Sequence, residues 1–536
     1  MLSNNYRIDI CTPVPLSTPF FDNQGMPSND PWRALDQLAR SNQLPDLLWL
    51  GDLFKQTENM EGHNANSDLQ ACRMNWLARH WRAIVAGSPR DQKKVNTWSI
   101  NMGKILHGCM QFHDPSVVNA LFVEIANTLL DTTYPLLNAR CIGSALYGMQ
   151  SLTWSEGTDA MLNAIAHHVA DERCEPLDAR AIGNALYGLK SMVPGDGVEF
   201  LLHAIAPHIE CNEQLDAQAI ANSLYGMRNL MPTDGTEAVL RAIAPHIETR
   251  QCERLSAHEI SIALYGLKVL TASAGTEAVL RAIALHMESE HRARLSTREI
   301  SRALYGLKNF TASEGTEAVL RAIAVDIERS DLFLLQEIRQ ALYGIKYLIG
   351  SSGVRQVISI LSDHLAEIKQ NTVNPYKARG LFAAEILNSL MPYLLSRDDR
   401  DREAALDIAV CLDLSDSFIE PDSIGMLCER RHLEKVIFQL VGDRQCNRTY
   451  DFRDCSRDLM ATCSAMAMGR FLADEDDSPV TLFFCGDSCH LAYYVQTAHA
   501  IQTVLAAQSD IRTHWESTYV VCMRETNMPF DLRNRW

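Results

Sequence analysis

One short segment, Leu-Tyr-Gly with apolar flanks, returns six times along the chain at nearly constant spacing. The copies are SALYGMQSL, NALYGLKSM, NSLYGMRNL, IALYGLKVL, RALYGLKNF and QALYGIKYL, and their tyrosines stand at positions 147, 187, 225, 265, 305 and 343. A unit of this length, with two helical patterns, cannot bury its apolar side alone and stacks on its neighbours. The sequence therefore predicts an all-α solenoid of 38–40-residue two-helix repeats over residues 99–395.

The second helical pattern of the repeat is clearest as GTEAVLRAIA at residues 235–244, 275–284 and 315–324. Each segment begins with Gly-Thr-Glu, and we expect Thr236, Thr276 or Thr316 to cap the first turn of its helix. KILHGCMQF around His107, one repeat length before the first tyrosine, indicates an edge copy, and KARGLFAAEILNSL near Phe382 indicates a decayed last copy.

The two flanks of the array have other patterns. Residues 1–30 are rich in Ser, Thr, Pro and Asn and are predicted to be disordered, whereas residues 31–98 are predicted to form a helical cap. After residue 396 short apolar runs (LDIAVCLDL, KVIFQLVG, VTLFFCG and TYVVCMR) alternate with helical stretches at 456–472 and 491–507. This alternation predicts a small α/β domain with a largely parallel sheet at residues 396–536.

The first helix of each repeat has one apolar side. Successive residues of a helix turn by about 100°, which places Ile300, Ala303, Leu304 and Leu307 of the fifth copy together on that side. The tyrosine of the repeat then points away from the core. The six outward tyrosines are Tyr147, Tyr187, Tyr225, Tyr265, Tyr305 and Tyr343.

Three further columns of residues share the outward side with the tyrosines. Seven residues before the tyrosine stand Arg140, Arg180, Gln218, His258, Arg298 and Gln336. Three residues before it stand Ser144, Asn184, Asn222, Ile262, Arg302 and Gln340. Three residues after it stand Gln150, Lys190, Arg228, Lys268, Lys308 and Lys346.

These columns suit a ligand that has a repeated backbone and variable units. Regular cations can follow phosphates, and a tyrosine can stack a base, at ~1–3 kcal/mol in other systems. Variable Arg, Asn and Gln side chains can hydrogen-bond base edges one at a time, as helical-repeat RNA readers do. The tyrosines and the charged or amide members of the columns, apart from Gln150, are therefore the predicted binding residues for single-stranded RNA. Three alternatives stay open: lysines that only meet the helix dipole, tyrosines that pack between repeats, and a protein ligand.

Net charge and cysteine content narrow the class of protein. With 49 Lys and Arg against 66 Asp and Glu the formal net charge is −17, which argues against an indiscriminate nucleic-acid binder. A narrow row of basic and aromatic side chains on an otherwise acidic protein can still bind RNA. Fifteen scattered cysteines indicate reduced thiols in a cytoplasmic protein, and no apolar run is long enough to predict a membrane partner.

The repeat resembles a known family of helices. ALYGLKNF and ANSLYGMRNL are similar to the ALWALAKL-type helix of octotricopeptide repeat proteins, and to the related NALNALSKWP-type repeats of plant-pathogen effectors. The resemblance covers about residues 98–390, with tyrosine where the octotricopeptide helix often has tryptophan. It implies sequence-specific binding of single-stranded RNA that needs no cofactor. The effector resemblance implies secretion into a host cell, with a protein-binding solenoid as the alternative function.

The end of the chain resembles the Smr (small MutS-related) domain, in which Asp-Leu-His-Gly opens a helix and Thr-Gly-x-Gly follows the next strand. Here TYDFRDCSRDL and TLFFCGDSCH hold the matching positions: Asp451, Phe452, Arg453 and Asp454, then Cys485, Gly486, Asp487 and Ser488, with His490 just beyond. The resemblance implies an endoribonuclease that depends on a divalent metal, with Asp451, Arg453, Asp454 and His490 as candidate catalytic residues. Arg453 stands where a histidine would act, so binding without cleavage and an unrelated α/β domain both stay open.

Overall fold

A computed structural model describes residues 32–57, 67–86, 95–248, 255–288, 294–371, 386, 389–390, 392–393 and 398–411, and four strands between 435 and 523. Over these residues the chain forms the α-helices α1 Arg33–Arg40, α2 Leu47–Thr57, α3 Ser67–Ala86, α4 Val95–Gly108, α5 Pro115–Leu130, α6 Ala139–Tyr147, α7 Glu156–Ala170, α8 Ala179–Gly188, α9 Asp196–Glu210, α10 Ala217–Gly226, α11 Asp234–Glu248, α12 Ala257–Gly266, α13 Ala274–Met287, α14 Thr297–Tyr305, α15 Glu314–Ile327, α16 Leu335–Ile345, α17 Ser352–Asn371 and α18 Asp399–Cys411. The predicted disordered segment 1–30, most of the decayed copy near Phe382, and the stretches 456–472 and 491–507 lie outside the described residues.

The helices belong to two compact units. The first comprises residues 1–176 and 191–204, and the second comprises residues 177–190 and 205–536. In the first unit α2, α4 and α6 pack side by side in one layer, and α3, α5 and α7 pack in a second layer. The layered order therefore already includes α2 and α3, which precede residue 99.

The second unit repeats the same arrangement. Its first-helix layer is α8, α10, α12, α14 and α16, and α11, α13, α15, α17 and α18 follow one another in the second layer. Both units thus confirm the expectation of an all-α, two-helix repeat array. α18 extends the second layer to Cys411, although the apolar run LDIAVCLDL at 406–414 predicts a strand. That prediction is wrong over 406–411, because a short apolar run fits a buried helix as well as a strand.

The core lies between the two layers. The isoleucine five residues before each tyrosine (Ile142, Ile182, Ile220, Ile260, Ile300 and Ile338) has no exposed surface. Ala303 and Leu304 of α14, and Leu307 in the turn that follows it, are equally buried, as predicted. The apolar periodicity of the first helix therefore marks the core correctly.

The second helices begin three residues earlier than predicted. Ser273 is the N-cap of α13, and its side chain accepts a hydrogen bond from the backbone N–H of Thr276 at 3.1 Å. The Thr276 hydroxyl in turn accepts from the backbone N–H of Ser273 at 2.8 Å, which completes a capping box. Ser313 and Thr316 repeat this exchange at α15. The expectation that the threonine itself is the cap is wrong, because it occupies the third helical position.

Glycine lets consecutive first helices approach closely. A Cβ on Gly266 would lie 2.1 Å from the backbone oxygen of Leu224 in the preceding repeat, far inside any ordinary contact. The same oxygen-to-Cβ distance is 2.1 Å for Gly306 against Leu264. The glycine after each tyrosine is therefore a packing requirement, and it brings neighbouring tyrosines together.

Acidic side chains join consecutive second helices. Glu237 accepts hydrogen bonds from the Ser273 hydroxyl at 2.6 Å and from the Gly275 N–H at 2.9 Å, at the start of the next second helix. Partial burial raises the pKa of Glu237, but these hydrogen bonds, with one from Arg241, leave it below its ordinary value. A carboxylate that accepts N–H groups at a helix start is stabilising. Each such contact therefore holds one repeat to the next.

A histidine near the end of most second helices makes another link. His168 Nε2 lies 2.7 Å from the Leu129 carbonyl of the preceding second helix, and its Nδ1 accepts from the Leu137 N–H at 3.1 Å. His246 and His286 reach the carbonyls of Ile209 and Ile247 in the same way, at 2.9 and 2.6 Å. An imidazole that donates at one nitrogen and accepts at the other is neutral.

The strands β1 Lys435–Leu440, β2 Asn447–Asp451, β3 Val480–Cys485 and β4 Tyr519–Met523 form one sheet in the order β2-β1-β3-β4. β1 pairs antiparallel with β2 and with β3, and only β3 and β4 are parallel. The expected largely parallel sheet is therefore wrong. Residues 441–446 are too few for a crossover between β1 and β2, so these strands form a hairpin.

None of the helices in the described part of the chain is both long and apolar enough to cross a bilayer.

Candidate functional site

The tyrosines of the second unit form a continuous ladder, defined here as Tyr187, Tyr225, Tyr265, Tyr305 and Tyr343. Their ring centroids are 5.6, 6.0, 5.8 and 5.7 Å apart in chain order, with angles of 20 to 26° between ring planes. In the first unit the rings of His107 and Tyr147 stack in the same way, at 5.6 Å. This contact confirms that His107 occupies the tyrosine position of an edge copy.

The ladder leaves no room for a base between its rings. Two faces in contact with an inserted base are about 7 Å apart, since carbon atoms touch at ~3.5 Å, and the observed spacings are shorter. Both faces of Tyr225, Tyr265 and Tyr305 meet a neighbouring ring. The inner tyrosines therefore pack between repeats, as one of the open alternatives predicts, and present their edges and hydroxyl groups outward instead of their faces.

Cations lie against the ladder. Lys190 Nζ donates to the Tyr187 hydroxyl at 3.1 Å and lies 4.2 Å from the ring centroid. Lys268 Nζ donates to the Tyr265 hydroxyl at 3.3 Å and lies 4.7 Å from the centroid of that ring. Arg228 donates to the Tyr225 hydroxyl. Lys308 lies 5.1 Å from the ring centroid of Tyr305. Contacts between a cation and a ring face are attractive, so this column stabilises the ladder.

The helical extrapolation fails after the tyrosine. α14 ends at Tyr305, while α8, α10 and α12 end at the next residue, so the residue three further on lies in a tight turn. Lys346, which directly follows α16, is only 4% exposed, and the expectation that it faces outward is wrong. Gln150 is buried as well. The column of residues three after each tyrosine is therefore partly buried, although it was predicted to face outward.

The two columns before the tyrosine lie where they were predicted. Arg140, Arg180, Gln218, His258, Arg298 and Gln336 are all exposed, and Ser144, Asn184, Asn222, Ile262, Arg302 and Gln340 are all half-buried. In the second unit these columns form the wall of an open groove of about 800 Å³. We call this cavity the ladder groove. It is lined by Tyr187, Asn222, Tyr225, His258, Ile262, Tyr265, Arg298, Arg302, Leu334, Gln336, Glu337 and Gln340.

The groove brings together nine of the predicted RNA-binding residues, which are the three tyrosines, Asn222, His258, Arg298, Arg302, Gln336 and Gln340. Other predicted residues of the second unit do not line it: Arg180, Asn184, Lys190, Gln218, Arg228, Lys268, Tyr305, Lys308, Tyr343 and Lys346. Arg140 and Tyr147 belong to the first unit.

The sequence did not point to Leu334 and Glu337 as groove residues. Leu334 precedes α16 and is 66% exposed, and Glu337 lies in the first turn of that helix. The Glu337 carboxylate accepts the Leu334 N–H at 2.9 Å, so it already has a capping partner. A signal existed, because Glu259, Glu299 and Glu337 recur at one position of the repeat.

Arg298 and Arg302 differ from Arg241 and Arg281 of the second helices, which form ion pairs. Arg241 and Arg281 each pair with a glutamate four residues earlier, at 2.8 and 3.8 Å. Within the described residues, neither Arg298 nor Arg302 has an ion pair or a side-chain hydrogen bond. Two like charges four residues apart on one helix repel each other. The groove therefore holds two adjacent cations with which no acid in the described part of the chain pairs.

The last residues of β2 and β3, Asp451 and Cys485, lie at the same end of the sheet. Asp451 pairs with Lys435, and Lys435 pairs with Cys485, so the last residues of β2 and β3 lie in one row across β1. Strands are about 4.8 Å apart, which puts the Asp451 and Cys485 backbones roughly 10 Å from each other. Arg453, Asp454 and His490 lie outside the described residues.

Among the described residues no group of three His, Cys, Asp or Glu side chains is placed to hold a metal ion. No protein-family model matches the chain, and no curated protein matches it.

Proposed function

We propose that the ladder groove binds single-stranded RNA and selects its sequence through the side chains that precede each tyrosine. The observation that carries the proposal is the pair Arg298 and Arg302, which lie without acidic partners among the described residues, beside amide side chains in the same groove. Guanidinium groups suit phosphates and base edges, and amide groups both donate and accept hydrogen bonds. Such a groove can hold a backbone and discriminate between bases.

The variation along the groove favours a ligand with variable units. The core isoleucine is the same in all six copies, whereas the residue three before the tyrosine is Asn222, Ile262, Arg302 and Gln340 in successive repeats that line the groove. Helical-repeat RNA readers use two or three side chains for each base in this manner. A uniform polyanion would need no such variation.

The ladder has a different role from the one that its residue type suggested. Its inner ring faces meet other tyrosines, so an RNA base would contact ring edges and hydroxyl groups at the floor of the groove. Lys190 and Lys268 donate hydrogen bonds to the hydroxyl groups of Tyr187 and Tyr265. The ladder would therefore act as a rigid floor, and the polar columns would supply most of the recognition.

The test is the affinity of the full chain for short single-stranded RNA, measured by fluorescence anisotropy at two salt concentrations. The variant Arg298→Ser/Arg302→Ser should weaken binding at least tenfold and should flatten its salt dependence, because two phosphate or base contacts are lost. A matched control is Arg281→Ser/Arg321→Ser, which removes the same charge from exposed positions of the second helices. Equal losses in both variants would contradict the proposal.

A nuclease activity of the last residues is a second candidate, and the row that joins Asp451 to Cys485 favours it. It brings the starts of both Smr-like motifs to one end of the sheet, where Asp451 would position the attacking water for a bound RNA strand. Asp451→Asn should abolish cleavage of a labelled RNA while binding persists, and Asp407→Asn in α18 is the control. Cleavage that survives Asp451→Asn would remove this candidate.

A protein ligand is the remaining alternative. It is favoured by Leu334 in the groove wall, and by Tyr343 and Tyr347, which are 42 and 52% exposed. Tyr347→Ser should then abolish capture of a protein partner and leave RNA affinity unchanged. Loss of RNA affinity in Arg298→Ser/Arg302→Ser, with none in Tyr347→Ser, would favour RNA.

A further inference from the structure

We infer that Arg302 selects guanine at one position of the bound strand and that Arg298 holds the neighbouring phosphate. This inference rests on the proposed function, because it assigns a base to one repeat of the same groove. It starts from the different surroundings of two arginines that lie on the same side of α14.

The two side chains differ in depth. Arg298 is exposed near the start of α14, whereas Arg302 is half-buried one turn later, beside the ladder. Contacts to phosphate position a nucleic acid, while contacts to base edges specify its sequence. The outer arginine is therefore placed for the backbone and the inner one for a base.

The neighbours of Arg302 in its column leave its guanidinium group available to a ligand. In the preceding repeat the same column holds Ile262, which has no polar group in its side chain. In the following repeat it holds Gln340, and within the described residues no hydrogen bond joins Gln340 to Arg302. Within the groove the guanidinium therefore has donors to offer a ligand, and a base with two adjacent acceptors can engage two of them at once.

Glu337 is the one acid among the described residues that line the groove. Its carboxylate is engaged by the Leu334 N–H at the start of α16. The capping contact fixes this acid at the helix start and leaves the guanidinium of Arg302 for a ligand. Arg298 lines the same groove and adds a second cation close to Arg302.

Guanine fits Arg302 because of its hydrogen-bonding pattern. The guanidinium group offers five donors and no acceptor. Guanine presents two adjacent acceptors, O6 and N7, and the bidentate contact of arginine to this pair is the commonest base-specific contact in protein–DNA complexes. Adenine replaces one of these acceptors with an amino donor, so it meets Arg302 with a single hydrogen bond. Glutamine, which donates and accepts, fits adenine instead.

The experiment is selection from a random single-stranded RNA pool on the full chain, repeated with Arg302→Lys and Arg302→Gln. The wild type should enrich a motif with one dominant guanine. Arg302→Lys keeps the charge but not the planar fork, so it should bind the same RNA within about threefold and lose the preference at that position alone. Arg302→Gln should enrich adenine there.

Arg298→Lys is the control for the phosphate assignment. It should lower affinity about equally for every sequence and leave the enriched motif unchanged. The unfolding midpoints of all three variants should match the wild type, since neither arginine has a side-chain partner among the described residues. Equal midpoints would exclude misfolding as the cause of a changed motif.

Two results would overturn the inference, and only the second of them would also overturn the proposed function. A wild-type motif that lacks a dominant guanine, or that persists in both Arg302 variants, contradicts the assignment and leaves RNA binding in place. Failure of the wild type to retain any RNA above background removes the proposed function, and the assignment with it.

Discussion

The replacement Gly266→Ala tests the packing that creates the ladder. Its Cβ would lie 2.1 Å from the oxygen and 2.4 Å from the carbonyl carbon of Leu224, where ordinary contact begins at 3.4 Å. Both partners are backbone atoms, so no side-chain rotation can relieve the overlap and α12 would have to move away from α10. That movement would also widen the 6.0 Å spacing between Tyr225 and Tyr265.

The expected cost follows from these contacts. Overpacking costs ~1–3 kcal/mol, and a lost aromatic pair costs ~0.5–1.5 kcal/mol more. Replacing glycine by alanine also reduces the conformational entropy of the unfolded chain, which raises the free energy of unfolding by ~0.4–1 kcal/mol. We therefore expect Gly266→Ala to lower the free energy of unfolding by about 2–3 kcal/mol.

Equilibrium urea unfolding, followed by circular dichroism and by tyrosine fluorescence, measures this cost. The control is Leu285→Ala in α13 of the same repeat, where the side chain is 59% exposed and the expected change is below about 0.5 kcal/mol. A Gly266→Ala protein as stable as the wild type would refute the close approach of consecutive first helices.

Three further changes test other contacts between repeats. Tyr265→Leu should lower the free energy of unfolding by about 1–3 kcal/mol without any RNA, because two stacked pairs are lost; an unchanged urea midpoint would contradict the ladder. Glu237→Ala should lower the free energy of unfolding by about 1 kcal/mol at pH 7, whereas the control Glu288→Ala should change it by almost nothing. The difference should shrink below pH ~4.5, because a carboxyl group whose pKa is lowered by folding stabilises the fold only while it is ionised. Burial lowers the pKa of His168, so the folded chain binds fewer protons than the unfolded chain and the free energy of unfolding should fall as the pH drops below ~6.5. Urea titrations at pH 8 and 5.5 measure that fall, and His168→Leu should make it smaller. An equal fall in the variant would argue against a neutral His168.

The repeat architecture could be predicted because residues within each single repeat determine it. The regular repeat period, the isoleucine column and the Gly-Thr-Glu starts each come from side chains at fixed positions in the sequence. The outward columns before the tyrosine were also predictable, since they lie on regular helix. Arg298 and Arg302 lie where a rotation of about 100° per residue puts them.

The remaining features depend on distances between repeats or on the end of a helix. The stacking of the tyrosines follows from the close approach at Gly266 and its equivalents, which a single repeat does not reveal. Lys346 directly follows α16 and is buried, which the periodicity of its own helix does not reveal. The histidine bridges were missed, although His168, His208, His246 and His286 recur with the period of the repeat.

The central claim is that the ladder groove holds single-stranded RNA. Ultraviolet crosslinking of a bound RNA to the full chain, followed by mass spectrometry of the modified peptides, locates the strand directly. The account predicts crosslinks within α12, α14 and α16, at or beside His258, Arg302 and Gln340, and their loss in Arg298→Ser/Arg302→Ser. Crosslinks confined to the second helices or to residues after 411, with none along the groove, would contradict it.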